Sequence, residues 1–353
     1  MKICYINLLG YGLLDREYAQ KQPYGGAEVA MHTDAHELAK DNGFEVHILA
    51  QADKEQKYAR DNVTMWTFRG NIRVARIAPR LKYYLSIWKK MKEINADTYL
   101  YRGATGEIYF LIGIFCALYK KKCIHVLGIV PPKFPFGPIR YLRWKLLLQA
   151  GLQLTDAIVA LACEQIPKLR ASLRGRIKVI YTGKKIAAER RTKRSYFLWV
   201  GRERPEKRPR ILAKIAEEMP ENRFVMIGTT VPDPPKNLKC IKEVPNEQMN
   251  KHYSNAIATI STSELEGFSN VYLESWNNGT PVIALEVDTD SAIKKHDLGY
   301  HSGTAEQLII DIKKIQDKKV WLRKSQNASR YIRENHDLKK QTEKYKQLFR
   351  ELI

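Results

Sequence analysis

Short apolar runs alternate with longer stretches of helical spacing along the whole chain. The first run, residues 1–9, reads as a strand. Val29, Ala30, Thr33 and Leu38 then fall at helical spacing within 27–40, and Asn42 and Gly43 stop the pattern. Further strands are expected at 45–49, 99–101, 123–127, 157–161 and 177–181, with an apolar helix at 107–119. A basic, aperiodic stretch at 182–194 separates this series from a second one. The second series places strands at 196–200, 224–228, 258–260 and 282–285, a helix at 209–218 and another from Asn270 onward. The tail, 320–353, is helical in pattern and strongly charged. Strand and helix in alternation predict an α/β protein with two doubly wound parallel-sheet domains in series and a cleft between them.

A chain of 353 residues with 44% hydrophobic content is long enough for two cores. No stretch reaches the roughly 20 apolar residues that span a bilayer; the best, 108–118, reads as a buried helix. The opening run has no signal-type cleavage site and is expected to be a strand. Five scattered cysteines (Cys4, Cys116, Cys123, Cys163 and Cys240) lack ligand spacing. They predict a reduced, cytoplasmic protein without structural metal or disulfides.

Charge changes the picture more. Lys and Arg number 60 against 38 acids, a formal net charge of +22. The excess is uneven: between Asp61 and Glu93, and again between Glu107 and Asp156, there are basic residues and no acid. An anionic partner is implied, although a lysine-rich proteome would also raise the count. No helix-turn-helix, zinc, RRM-like or arginine-rich element accompanies the charge, so nucleic acid is not the expected partner.

Three patches carry candidate chemistry. Glu266 is expected to end the loop after the strand at 258–260. Gly267 lets backbone come close to a ligand, and the amides of Gly267, Phe268 and Ser269 lie beside a helix start that Ser269 or Asn270 can cap. Glu274 falls about one turn into that helix, and Gly279-Thr280-Pro281 follow before the next strand. In the second patch, Gly201, Arg202 and Lys207 follow a strand, where Arg and Lys can clamp a diphosphate. In the third, Gly25 and Gly26 stand between the first strand and the first helix, after Pro23. Arg102, at an expected strand end, is a further candidate. His125, in the strand expected at 123–127, reads from its position as a core histidine.

The stretch from Ser261 to Val282 resembles the signature of family 4 retaining glycosyltransferases, which have the GT-B fold. The Gly-Arg-x-x-x-x-Lys spacing at 201–207 resembles that family's diphosphate clamp, and Gly25-Gly26 its N-terminal glycine loop. The family usually has Gly after the clamp lysine; here Arg208-Pro209 stand instead, and with Phe224 to Gly228 they look like a recognisable subset. The resemblance implies an acceptor-binding domain at 1–185, a nucleotide-sugar domain at 186–330 and a C-terminal helix, 331–353, packing back toward the first. It implies a hexose-type donor, UDP- or GDP-linked, with Glu266 on the sugar and Glu274 on the ribose, and it gives His125 a second reading, since many members carry a His at a mid-domain strand end near the reacting centre. No cofactor and no metal are implied, since Arg202 and Lys207 would carry the diphosphate charge; Asp288-Thr-Asp290 is read as a loop.

On the acceptor side, Pro132, Lys133, Phe134, Pro135, Phe136, Arg140, Tyr141, Arg143, Trp144 and Lys145 interleave cations with rings. That composition suits the inner face of a membrane and a lipid-linked glycan acceptor in surface polysaccharide, lipopolysaccharide or glycolipid assembly. The segment packing into its own core is the other reading, and a soluble enzyme on a non-lipid acceptor would use the same donor site.

Overall fold

The computed structural model describes residues 1–21, 24–70, 77–103, 105–128, 138–187 and 194–353. Pro23 and the run Pro132, Lys133, Phe134, Pro135 and Phe136 lie outside the described residues. The chain divides into two compact units, Met1–Gly183 with Leu338–Ile353, and Lys184–Asp337.

Unit 1 begins β1 (Lys2–Ile6), α1 (Arg16–Lys21), α2 (Gly26–Leu38), β2 (Glu45–Ala52), β3 (Lys57–Arg60) and β4 (Val63–Arg69). It continues α3 (Ile77–Ile94), β5 (Thr98–Gly103), α4 (Gly106–Tyr119), β6 (Lys122–Leu127), α5 (Pro138–Gln153), β7 (Ala157–Ala160) and β8 (Ile177–Val179). Its sheet has the order β3-β4-β2-β1-β5-β6-β7-β8. Only the β3–β4 pairing is antiparallel.

Parallel strands covered on both faces must bury nearly every residue, and β2 exposes only Glu45 while β7 exposes nothing. The period-two alternation sorts the core into two layers. Ile3 and Tyr5 face Met31 and Leu38 of α2, while Cys4 and Ile6 face Ile87 of α3, Phe115 of α4 and Leu152 of α5. Helices α4 and α5 meet at close range through glycine: a Cβ on Gly151 would lie 2.6 Å from the Tyr109 carbonyl carbon.

Unit 2 contains β9 (Tyr196–Val200), α6 (Pro209–Glu218), β10 (Phe224–Ile227), β11 (Leu238–Ile241), α7 (Asn246–Asn255) and β12 (Ala256–Ser261). There follow α8 (Asn270–Asn277), β13 (Val282–Ala284), α9 (Ala292–His296), β14 (Gly299–His301), α10 (Ala305–Lys314) and α11 (Lys318–Asn335). Its strands are ordered β11-β10-β9-β12-β13-β14, all parallel.

The charged tail is two helices rather than one. Helix α11 is capped by the Asp317 carboxylate, which accepts from the amides of Lys319 and Val320 at 2.9 Å. It stops before His336 and Asp337, and α12 (Leu338–Leu352) belongs to unit 1. There Tyr345, Leu348 and Phe349 join the layer of Ile3 and Tyr5, and Lys346 pairs with Asp41 at 2.9 Å. The Lys184 amide donates to the His336 carbonyl at 2.7 Å, and Lys184 bridges Asp337. The residues by which the chain enters and leaves unit 2 therefore run side by side.

Phe349 is fully buried, with its ring 6.0 Å from that of Phe44. Phe349→Ala is expected to destabilise unit 1 by about 3–5 kcal/mol, read as a lowered denaturation midpoint.

Candidate functional site

In unit 2, β9 and β12 are neighbours in the sheet although β10, β11 and two helices lie between them in sequence. The crossovers from these two strands leave in opposite directions, so a crevice opens at their carboxyl ends. Two of the three sequence patches sit there. Gly201 and Arg202 follow β9, and the loop carrying Glu266 follows β12. Gly201 accepts close approach from β10's end: Gly228 has φ +95°, and a Cβ on it would lie 2.4 Å from the Gly201 carbonyl oxygen.

The two loops are stitched together. Trp199 Nε1 donates to the Thr262 hydroxyl at 2.9 Å, and that hydroxyl donates to the Lys207 carbonyl at 2.6 Å. The Glu264 amide donates to the Glu206 carbonyl at 3.0 Å. Lys207 Nζ forms a charged hydrogen bond with Glu266 Oε1, both side chains being mostly buried. Arg202 is exposed at the same strand end.

Arg208 stands after Lys207, where the resemblance led to an expectation of glycine. Its φ of 48° and ψ of 53° lie in the left-handed region that glycine enters most freely. Here the side chain offsets the strain: Nε donates to the Thr262 carbonyl at 2.8 Å and Nη1 to Glu286 at 2.7 Å. Pro209 then starts α6 at its first position, where no amide is needed.

Beyond Glu266, the Gly267 carbonyl accepts from Thr289 at 2.7 Å. The buried Phe268 ring lies 4.8 Å from the His336 ring. Ser269 occupies the N-cap position of α8, but its hydroxyl makes no capping hydrogen bond; its carbonyl instead accepts from Tyr272 at 3.1 Å. Asn270 Oδ1 is enclosed without a hydrogen-bond partner. Glu274 is held at both oxygens, by Lys184 Nζ at 2.9 Å and the Tyr253 hydroxyl at 3.0 Å. Burial, reinforced by the Glu274 charge, pushes the Tyr253 hydroxyl well above its ordinary value, so it stays a proton donor to the carboxylate.

Sequence reasoning found neither of these two partners. Lys184 stood in a basic aperiodic stretch, and Tyr253 is one of 19 tyrosines. It also missed Arg194, whose guanidinium donates to the Ala256 carbonyl at 2.8 Å, to Thr280 at 2.5 Å and to the Asn278 carbonyl at 3.1 Å. Burial pulls its value down to about 10. Arg194 thereby fixes the Gly279-Thr280-Pro281 turn that returns α8 to the sheet. Asp288 accepts from the Ile293 amide at 2.8 Å at the start of α9, which gives it a structural task.

Unit 1 holds the remaining candidates. Gly25 is the N-cap of α2, and its amide donates to Glu28 Oε2 at 2.7 Å, so a carboxylate of the chain itself lies at this helix start. Arg102 at the end of β5 donates to the Thr182 hydroxyl at 3.3 Å. His125 has no exposed surface: its Nε2 lies 3.1 Å from the Tyr109 carbonyl and its ring 4.2 Å from the Tyr109 ring. Of its two readings, the core histidine is the one found, since a ring sealed inside β6 cannot touch an acceptor.

Residues 183–335 match the family model of glycosyl transferases group 1. The matched stretch is nearly the whole of unit 2. A curated relative, glycosyltransferase 1 domain-containing protein 1 of Xenopus tropicalis, is 29% identical over 110 residues, which is 31% of this chain. The match covers only 32% of that relative's length. Among solved structures, sucrose-phosphate synthase of Thermosynechococcus elongatus has a TM-score of 0.79 at 14% identity, covering 100% of this chain and 99% of its own. Anabaena HepE in complex with UDP and glucose gives 0.72 at 14% identity, covering 99% and 100%. A glycosyltransferase of Rickettsia africae gives 0.69 at 14%, covering 99% and 98%. At such identities the likeness concerns the fold, and the two parallel-sheet units are those of the GT-B glycosyltransferases.

Arg208→Ala and Arg208→Gly remove the same hydrogen bonds, but only alanine keeps the Cβ that disfavours the left-handed backbone. The glycine variant is expected to be the more stable of the two by about 1 kcal/mol, measured by denaturant unfolding.

Proposed function

We propose that the protein is a retaining, metal-independent glycosyltransferase that moves a hexose-type sugar from a UDP- or GDP-linked donor to an acceptor hydroxyl. The observation that carries this reading is that Arg202 and Lys207 follow β9 and Glu266 and Gly267 follow β12 at the switch point of the sheet, with Glu274 on the next helix, inside the stretch that matches the glycosyl transferases group 1 model. A diphosphate entering there meets Arg202 and the Lys207 ammonium, which Glu266 now neutralises. As the C1–O bond to the diphosphate breaks, these two cations take the developing charge. Glu266, released from Lys207, receives a sugar hydroxyl, and the unpartnered Asn270 Oδ1 supplies another acceptor for one. Glu274 receives the ribose. The acceptor oxygen then bonds C1 on the face the leaving group vacates, and its proton passes to the departing phosphate oxygen. In a panel of UDP-, GDP- and dTDP-sugars one donor should be turned over, with the product anomer matching the donor by NMR. Lys207→Ala is expected to lower kcat/KM by about 10²–10³-fold; undiminished turnover would remove the site assignment.

The acceptor is proposed to be a lipid-linked glycan reached at an anionic membrane surface. The rings expected at the interface are partly used elsewhere: Trp144 is buried in the core of unit 1, and Tyr141 stacks on it at 5.9 Å. Exposed aliphatic residues take their place. Leu81 and Leu85 on α3 are 59% and 60% exposed, and Ile139, Leu142 and Leu146 on α5 are 85%, 57% and 58% exposed. Spacings of three and four set each group on one helix face. Glu107 joins the two helices' neighbourhoods, pairing with Arg143 at 3.2 Å and raising the Tyr84 hydroxyl behind the larger effect of burial. Exposed leucines beside Lys82, Arg143 and Lys145 fit an anionic lipid surface. Among the described residues no helix is long and apolar enough to cross a membrane. Sedimentation with phosphatidylglycerol vesicles should be salt-sensitive and fall several-fold in Leu81→Asp/Leu142→Asp. Binding unchanged by the pair would leave the soluble, non-lipid acceptor as the better reading.

A further inference from the structure

We propose that Lys184 is a positioning residue that holds the Glu274 carboxylate in the orientation that receives the nucleotide ribose. This rests on the donor-site reading above and adds to it a cation that none of the sequence patches contains. A glutamate projecting from a helix samples many rotamers, and fixing it for a ligand costs conformational entropy. Here both oxygens are already fixed, Oε1 by Lys184 and Oε2 by Tyr253, and each keeps a lone pair for a hydroxyl donor.

The lysine is itself anchored. Its amide is bonded to the His336 carbonyl, and its backbone bridges Asp337. The residues after it are laced to the same helix that bears Glu274: the Asn277 side chain donates to the Lys185 carbonyl at 3.0 Å and accepts from the Ala187 amide at 3.1 Å. Glu274 and Asn277, three apart on α8, thus grip one segment. The Lys184 side chain is 15% exposed and that of Glu274 33%, so the pair is shielded while the carboxylate keeps some open surface. Tyr253 alone would leave Oε1 free to swing, because one hydrogen bond permits rotation about the carboxylate axis.

The test is titration calorimetry of UDP and GDP against the wild-type chain, Lys184→Met, Lys184→Arg and Glu274→Ala. Each is repeated with the 2′,3′-dideoxy diphosphate. For the nucleotide that binds, Lys184→Met should weaken Kd about tenfold and Lys184→Arg less than about threefold. With the dideoxy ligand the wild type and Lys184→Met should agree within about twofold, since the hydroxyls that Glu274 reads are gone. An unchanged Kd in Lys184→Met, or an equal loss with the dideoxy ligand, overturns the role of Lys184. Should Lys184→Met not fold, Lys184→Gln gives the same comparison. Failure of Glu274→Ala to weaken binding would instead overturn the donor-site reading itself.

Discussion

Strand β12 lies parallel beside β9, and the meeting of the loops that carry Lys207 and Glu266 depends on that pairing. Strands consecutive in sequence would leave their crossovers on one side and close the space above them. Because β9 continues toward β10 and β12 toward β13, the loops at their ends are left facing each other. Loops so placed are soft, and the Thr262 hydroxyl hardens them by linking the Trp199 indole to the Lys207 carbonyl. Lys207 and Glu266 then meet as an ion pair between the two loops. In that pairing each mostly buried charge is kept satisfied by the other.

Much of this was legible in the sequence, for a physical reason. Gly201, Lys207 and Glu266 stand in short loops after β9 and β12, and Glu274 in the helix that follows, so their spacing along the chain is close to their order in the fold. The central strands were legible too, because β1, β6, β7 and β10 are buried apolar runs. Strand β3 was not read, since Lys57–Arg60 is polar and sits at a sheet edge; β4 was missed although Val63, Met65 and Thr67 alternate inward. Strand β14 is three residues long and begins with Gly299, which carries no strand signal. Helix α5 hid among cations. Lys184, Tyr253 and Arg194 were illegible because they act on other side chains or on carbonyls. Such roles depend on which residues the fold brings near, and no spacing encodes that.

The same limit governs Trp144 and His125. A ring among basic residues looks like an interfacial anchor, and a histidine near a strand end looks like a catalytic one. Alternation decides both: Trp144 lies on the sheet-facing side of α5, while Leu142 and Leu146 lie on the other. His125 falls inside β6, paired in register with Tyr101 and Ile158, and so is enclosed by its neighbours.

Because α12 completes a layer begun by Ile3 and Tyr5, unit 2 is an insertion within unit 1, and that sets an order on biosynthesis. An emerging chain normally finishes its first domain first. Here the first domain to be started is the last to be closed. At 5–20 residues per second, unit 1 waits roughly 10–30 s for α12 after Gly183 has been made. Throughout that interval the apolar surface around Ile3, Tyr5 and Val46 lacks its cover, while unit 2 is free to fold. The nascent chain is therefore most open to chaperone capture in unit 1, on the face that α12 later covers.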